Sequence, residues 1–298
     1  MERYVIINAD DFGMCRSANL AVFDLFKKGG ITSATIMTPC SWAPEAAAFA
    51  RDNPEFAIGI HLTFTSEWSK YRWAPVNSEN TASLRDADGY MYSDSKDFEK
   101  NCVLEEVEAE ARAQIERIKK LGLTNPSHLD NHMGSIYGIE TGRLELLTLA
   151  FDLAGEYNLP FRFPATFTDE QFENTMLGIN IPKELVLNMF KHYAEYAKEK
   201  KVAISDYLLP NEWNGPQAES FENFREYIYA HFEKFPEGVT ETYIHPAVES
   251  DELKGTSSVW KRRVWEYQLF ADPKTRQHFE AIGIKLINYR DLKKMRGY

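Results

Sequence analysis

Short apolar, β-rich runs alternate with helical stripes along this sequence without a break in composition, and that rhythm limits the fold more than any other feature. Tyr4 to Asn8 reads as a strand buried on both faces of a parallel sheet. A helix follows in which Ala18, Ala21, Val22, Leu25 and Phe26 recur at helical spacing, with Ser17 as expected N-cap and Gly29-Gly30 as the stop. Thr32 to Met37 then predicts a strand, Pro44 to Arg51 a helix, and Phe56 to Phe64 a strand. Val103, Leu104, Val107, Ala111, Ile115 and Ile118 form the stripe of a helix ended by Gly122, before a short strand near Ser127 to His132. Further helices are expected at about Gly142 to Tyr157, Pro182 to Lys198, Glu219 to Phe235 and Trp260 to Ile282. Strands are expected near Phe161, Ala203 to Leu209, Thr242 to His245 and Lys285 to Tyr289.

This succession predicts an α/β chain, a distorted single-domain (β/α) barrel of seven or eight parallel strands over residues 1–298. One irregular stretch, about Thr65 to Lys100, is too long for an ordinary barrel loop and reads as a lid or small insertion. With 44% hydrophobic and 27% charged residues, the chain has the makings of a full core. A net charge of −11 argues against nucleic-acid or anionic-membrane partners, which call for basic surface, and favours a small polar ligand. The cysteines, Cys15, Cys40 and Cys102, are too scattered for a disulfide framework or thiolate metal site. No signal-like segment opens the chain and no run of about 18 apolar residues occurs in it, so the expected location is the cytoplasm.

Active sites of barrels gather at the C-terminal ends of the strands, and titratable residues recur there. They are Asp10 and Asp11, His61, the set His128, Asp130 and His132, then Arg162, Asp206 and His245. Adjacent carboxylates raise each other's pKa unless a cation relieves them, so Asp10-Asp11 calls for a divalent ion, with one oxygen on the metal and another on its water. The alternative is a helix-capping Asp beside a solvated one. His128, Asp130 and His132 share one face at strand spacing, and as a helix would make His128 and His132 an i, i+4 ligand pair. His61 alone is an ordinary core histidine and gains meaning from the others. His245, stopped by Pro246, is a candidate acid-base residue. Arg162, between Phe161 and Phe163, needs an anionic partner, structural or from the substrate. Trp42, Trp68, Tyr71, Trp73 and Trp213 fall in presumed loops, where they either pack or stack on sugar. His192, His231 and His278 lie in charged helical patterns and read as solvated.

Taken together, Asn8-Ala9-Asp10-Asp11-Phe12-Gly13, Gly59-Ile60-His61-Leu62, Ser127-His128-Leu129-Asp130-Asn131-His132 and Tyr243-Ile244-His245-Pro246 resemble the YdjC-like carbohydrate deacetylase family over nearly the whole chain. The resemblance implies a deacetylase-like distorted barrel and one divalent ion, Mg2+ or Zn2+, held by Asp11, His61 and His132, with Asp10 as general base. Met133, Gly134 and Ser135 stand where several relatives carry more histidines, which puts substrate contacts from that turn in doubt.

The function expected is metal-dependent removal of an N-acetyl group from a small carbohydrate. His245 would protonate the amine, with His128 as its substitute, and Arg162, His128 and Asp130 would lie near the substrate. A homodimer is the default assembly for such an enzyme. The alternatives are a barrel metallohydrolase acting on a sugar phosphate, with Arg162 as phosphate clamp, and a carbohydrate-binding relative without catalysis.

Overall fold

The computed structural model describes residues 2–173 and 183–298. Its strands are β1 (Arg3–Phe12), β2 (Ser33–Ile36), β3 (Ala57–Leu62), β4 (Leu129–Asn131), β5 (Tyr207–Leu208), β6 (Gly238–Ile244) and β7 (Ile284–Leu286). All pairs are parallel, in the order β4-β3-β2-β1-β6-β5. β1 is the central strand. It pairs with β6 from Arg3 to Ala9, with β7 from Arg3 to Val5, and with β2 from Asn8 onward.

The two ends of this curled sheet are joined by the stretch around Phe161. Arg162 N donates to Leu129 O on one side, while Phe161 N and Ala165 N donate to Ala203 O and Ser205 O on the other. The result is the expected distorted barrel, with one stave reduced to isolated bridges, Leu129 with Phe161 and Pro164 with Ser205. Pro160 and Pro164 explain why no regular strand forms there, since neither can donate to a ladder.

Helices cover the outside of the sheet, and their starts differ from expectation in instructive ways. Helix Arg16–Lys28 is preceded by Cys15 at the N-cap, and Ser17 instead lies within its first turn, 2.6 Å from Ser250 Oγ. The long pattern from Trp260 to Ile282 is two helices, Trp260–Ala271 and Pro273–Ala281. Asp272 caps the second by accepting from Lys274 N, and Pro273 forbids a continuous helix. Tyr289 starts the helix Tyr289–Met295 rather than ending a strand. Pro182, the expected start of the helix found as Lys183–Glu199, lies outside the described residues.

The stretch 65–100 is less irregular than its sequence suggests. It ends in the helix Ser95–Asn101, and Thr65 bridges Tyr92 while Arg85 bridges Met91. Buried Glu110, on helix Leu104–Leu121, accepts from Val76 N and Asn77 N at 2.8 Å each and ties the stretch to the barrel wall. Trp73 and Met91 are buried against Met14, Cys15 and Met37, so this segment sits over the end of β1.

Inside the barrel the lower layer is closed by the C-terminal helix. Tyr289 and Leu292 pack on Ile6, Ala203 and Val239. The ring of His128 stacks on Tyr289 with centroids 3.7 Å apart, in space left by Gly59, where a Cβ would come within 2.5 Å of His128 Nδ1.

Candidate metal centre and active site

Strand geometry alone would send Asp10 and Asp11 to opposite faces of the sheet. The register of β1 against β2 shifts between Ala9 and Phe12, and Asp11 has φ 61°, the left-handed region. This bulge turns Asp11 so that both carboxylates are buried at the mouth of the barrel. A left-handed aspartate costs about 1 kcal/mol, which the surrounding contacts must offset.

Asp11 Oδ1 lies 3.5 Å from His61 Nε2 and 3.3 Å from His132 Nδ1, while its Oδ2 accepts from Arg263 at 2.7 Å. The other nitrogen of each histidine faces a carboxylate: His61 Nδ1 is 2.7 Å from Asp130 Oδ1, and His132 Nε2 is 2.9 Å from Glu67 Oε2. Burial opposes charge on both rings, but Asp130 and Asp11 lift His61 to about 10, and Glu67 and Asp11 lift His132 to about 9. Burial likewise opposes ionisation of Asp11, and Arg263, His132 and His61 overcome it, holding the carboxyl well below the usual range. Asp11 Oδ1 is nonetheless buried without a well-formed hydrogen bond, the two ring nitrogens standing off at 3.3 and 3.5 Å. Such an acceptor, converging with two imidazoles whose far nitrogens are oriented by carboxylates, fits a divalent cation.

Beside this triad lies a second charged group, in which each carboxylate oxygen and each nitrogen of Arg162 has a partner. Arg162 donates to both oxygens of Asp10 at 2.7 Å, through Nε to Glu241 Oε1 at 2.7 Å, and approaches Asp130 Oδ2 at 2.9 Å. Asn8 Nδ2 adds a bond to Asp10 Oδ1 at 2.8 Å, and Thr35 Oγ1 one to Asp130 Oδ2 at 2.8 Å. Burial pushes the Glu241 carboxyl up to about 7 against the pull of Arg162, and Tyr289 OH completes that carboxylate's bonds. Burial also works against the Asp130 anion, but Arg162 and His61 hold it below the usual range. The anionic partners of Arg162 are therefore the protein's own, and its donor edges are committed.

The expected residues thus divide. Asp10, Asp11, His61, Asp130, His132 and Arg162 converge, although Asp130 and Arg162 are buried against other side chains rather than presented to a ligand. His128 shares their face but sits one layer down, fully buried, and burial pushes its ring down to about 3. Its ring stacks on Tyr289 and its Nδ1 lies 2.8 Å from Ser127 Oγ, contacts that set it apart from the residues around Asp11. His245 is partly exposed just past β6, and its backbone N donates to Glu266 Oε2 at 2.7 Å. Burial holds its pKa below the ordinary value, and the nearby Asp11 anion offsets only part of that. Asp206 serves structure, taking Arg296 at 2.7 Å and Val239 N at 2.8 Å.

Among the aromatic residues, Trp73 is buried and donates to Thr65 O, Tyr71 OH donates to Met14 O, and Trp213 packs on Trp265, so these are packing residues. Trp68 lies under the Arg263 guanidinium at 5.4 Å, and Trp42 under Arg16 at 5.8 Å. His192 is exposed as expected, but His231 and His278 are half-buried, stacked on Tyr227 and Tyr229.

Glu67, Glu241 and Arg263 escaped the sequence reading. Glu241 had a signal, a lone acid within the apolar β6 run. Arg263 follows Lys261 and Arg262 and looks solvated, although it shares a helix face with the buried Glu266 and Phe270.

The sequence model of the YdjC-like protein family matches residues 4–281. A carbohydrate deacetylase of Clostridium beijerinckii is 26% identical over 288 residues, covering 97% of this chain and 99% of the relative. A chitooligosaccharide deacetylase of Yersinia enterocolitica is 24% identical over 295 residues, covering 98% and 100%. A crystal structure from Enterococcus faecalis V583, described provisionally as a cellobiose-phosphate cleavage protein, is 29% identical and superposes with a TM-score of 0.74, covering 98% of this chain and 99% of that one. With its family motifs gathered into one buried site, this chain belongs to the YdjC-like protein family.

Proposed function

We propose that this chain is a carbohydrate N-deacetylase that works with one divalent ion, Mg2+ or Zn2+, held by Asp11, His61 and His132. The observation that carries the reading is the buried Asp11 Oδ1, without a well-formed hydrogen bond, lying between two histidine nitrogens. When bound, such an ion supplies positive charge that polarises an acyl oxygen and acidifies water. The relatives are named carbohydrate deacetylase and chitooligosaccharide deacetylase, and we take the bond cleaved here to be the amide of an N-acetyl group on a small carbohydrate.

The chain's own residues do the rest. Asp10 Oδ takes the proton of the water that attacks the acetamido carbon, and Arg162 holds that carboxylate in place through two hydrogen bonds. As the C–O bond forms and the C–N bond breaks, His245 gives a proton to the departing nitrogen, so acetate and a free amino sugar leave. Burial lowers the His245 pKa below its ordinary value and the Asp11 anion offsets part of that, so the ring has to take up its proton during the reaction before it passes it to the amine.

In this reading residues 1–298 form one barrel domain, and the 65–100 stretch covers the mouth while supplying Glu67 to His132. The free, buried cysteines suit a reducing compartment, so we place the enzyme in the cytoplasm. No helix among the described residues is long and apolar enough to cross a membrane.

The test is acetate release from a panel of N-acetylated sugars, including chitobiose and its phosphate, with metal content measured on the same sample. Acetate in proportion to bound metal supports the reading. Inorganic phosphate without acetate would point to a sugar-phosphate hydrolase, and sugar binding without either product to a non-catalytic relative.

A further inference from the structure

Arg263 is an expensive residue to bury. It is 5% exposed, reaches Asp11 Oδ2 at 2.7 Å, and leaves its Nε and Nη1 buried without an acceptor. A buried cation with most of its donors unmatched lowers stability, so its place in the fold calls for another reason. Contact with Asp11 supplies one. A carboxylate can give a metal one oxygen or two, and nothing in the chemistry of aspartate decides between them. Here the guanidinium occupies Oδ2, and Oδ1 alone faces His61 Nε2 and His132 Nδ1. Trp68 under the guanidinium and the backbone bond from Ala247 N to Arg263 O hold the arginine in place from two sides.

We propose that Arg263 is a positioning residue that restricts Asp11 to one-oxygen coordination and so keeps a coordination position free for the reactants. This rests on the metal reading given above. Arg263 touches no reacting atom and acts through Asp11.

The experiment replaces Arg263 by Met, which keeps the apolar length without charge or donors, and by Lys, which keeps the charge. Each protein is loaded with Co2+, whose visible absorption reports coordination number, and kcat and KM for acetate release are measured with metal affinity. For Arg263→Met the account expects Co2+ bound at least as tightly as in the native protein, a spectrum of higher coordination number, and kcat lowered about 10- to 100-fold with KM little changed. Arg263→Lys should return the spectrum and rate toward native. If Arg263→Met does not fold, Arg263→Gln gives the same readings. An unchanged spectrum, or loss of the metal from a folded variant, would overturn the proposal. Native protein that binds no cation would instead remove the metal reading on which it stands.

Discussion

Two charged groups lie side by side in this barrel, and the ionised side chains of one are fully bonded while those of the other are not. Around Arg162, the carboxylates of Asp10, Asp130 and Glu241 are bonded at every oxygen, with Tyr289 OH and Asn8 Nδ2 among the donors, and only the neutral Asn8 Oδ1 is left over. Around Asp11, one oxygen is saturated by Arg263 and the other, equally buried, has no well-formed hydrogen bond although two imidazole nitrogens approach it. Complete networks fix geometry, whereas an incomplete one marks a place for a ligand. The contrast explains how adjacent aspartates take different duties: the bulge at Ala9–Phe12 hands one to each group.

The sharpest way to break the comparison is to remove a ligand from the incomplete group. His132→Ala should lose the metal and with it acetate release down to background, which metal analysis and product assay would show together; retained metal would unseat His132 as ligand. Next in size is damage to the complete group. Arg162→Met leaves three carboxylates buried without their cation, and such losses cost about 3–5 kcal/mol. Chemical denaturation should register that loss, and a variant as stable as the native protein would mean the network is not what it looks like.

A smaller effect is expected where the groups meet their supports. Glu67→Gln should weaken metal binding by roughly 10- to 100-fold through His132, as removal of an orienting partner does, while leaving the fold intact. Titration calorimetry reads this directly, and native affinity would show that Glu67 does not orient the ligand.

The smallest is a pH effect from the layer beneath. Burial pushes His128 down to about 3 from an unfolded value of 6.5, so between these limits the unfolded chain binds a proton that the folded one does not. Stability should therefore fall on acidification below pH 6.5, with His128 contributing up to about 1.4 kcal/mol per pH unit. His128→Gln should flatten that slope, and an identical slope in both proteins would show that His128 is not held neutral.

Much of this was legible in the sequence. β1 and β3 announce themselves as continuous apolar runs because both faces are buried, and the polar residues within them, Asp10, Asp11 and His61, stand out against that background. The spacing of His128, Asp130 and His132 foretold a shared face but not its depth, since depth depends on Gly59 and on Tyr289, distant in sequence. The Phe161 stave was overrated as a strand because apolar content speaks more loudly than the prolines at 160 and 164. Arg263 and Glu67 were missed for a different reason. Each is an ordinary charged residue in an ordinary-looking surface segment, and only the closure of the barrel brings them to Asp11 and His132.

The division of duties between the two groups is tested most directly by Asp10→Asn, assayed for bound metal and acetate release on one sample. The account predicts native metal content with turnover lowered by at least about 100-fold, because the general base is lost while the triad is untouched. Native turnover, or loss of the metal along with activity, would contradict it.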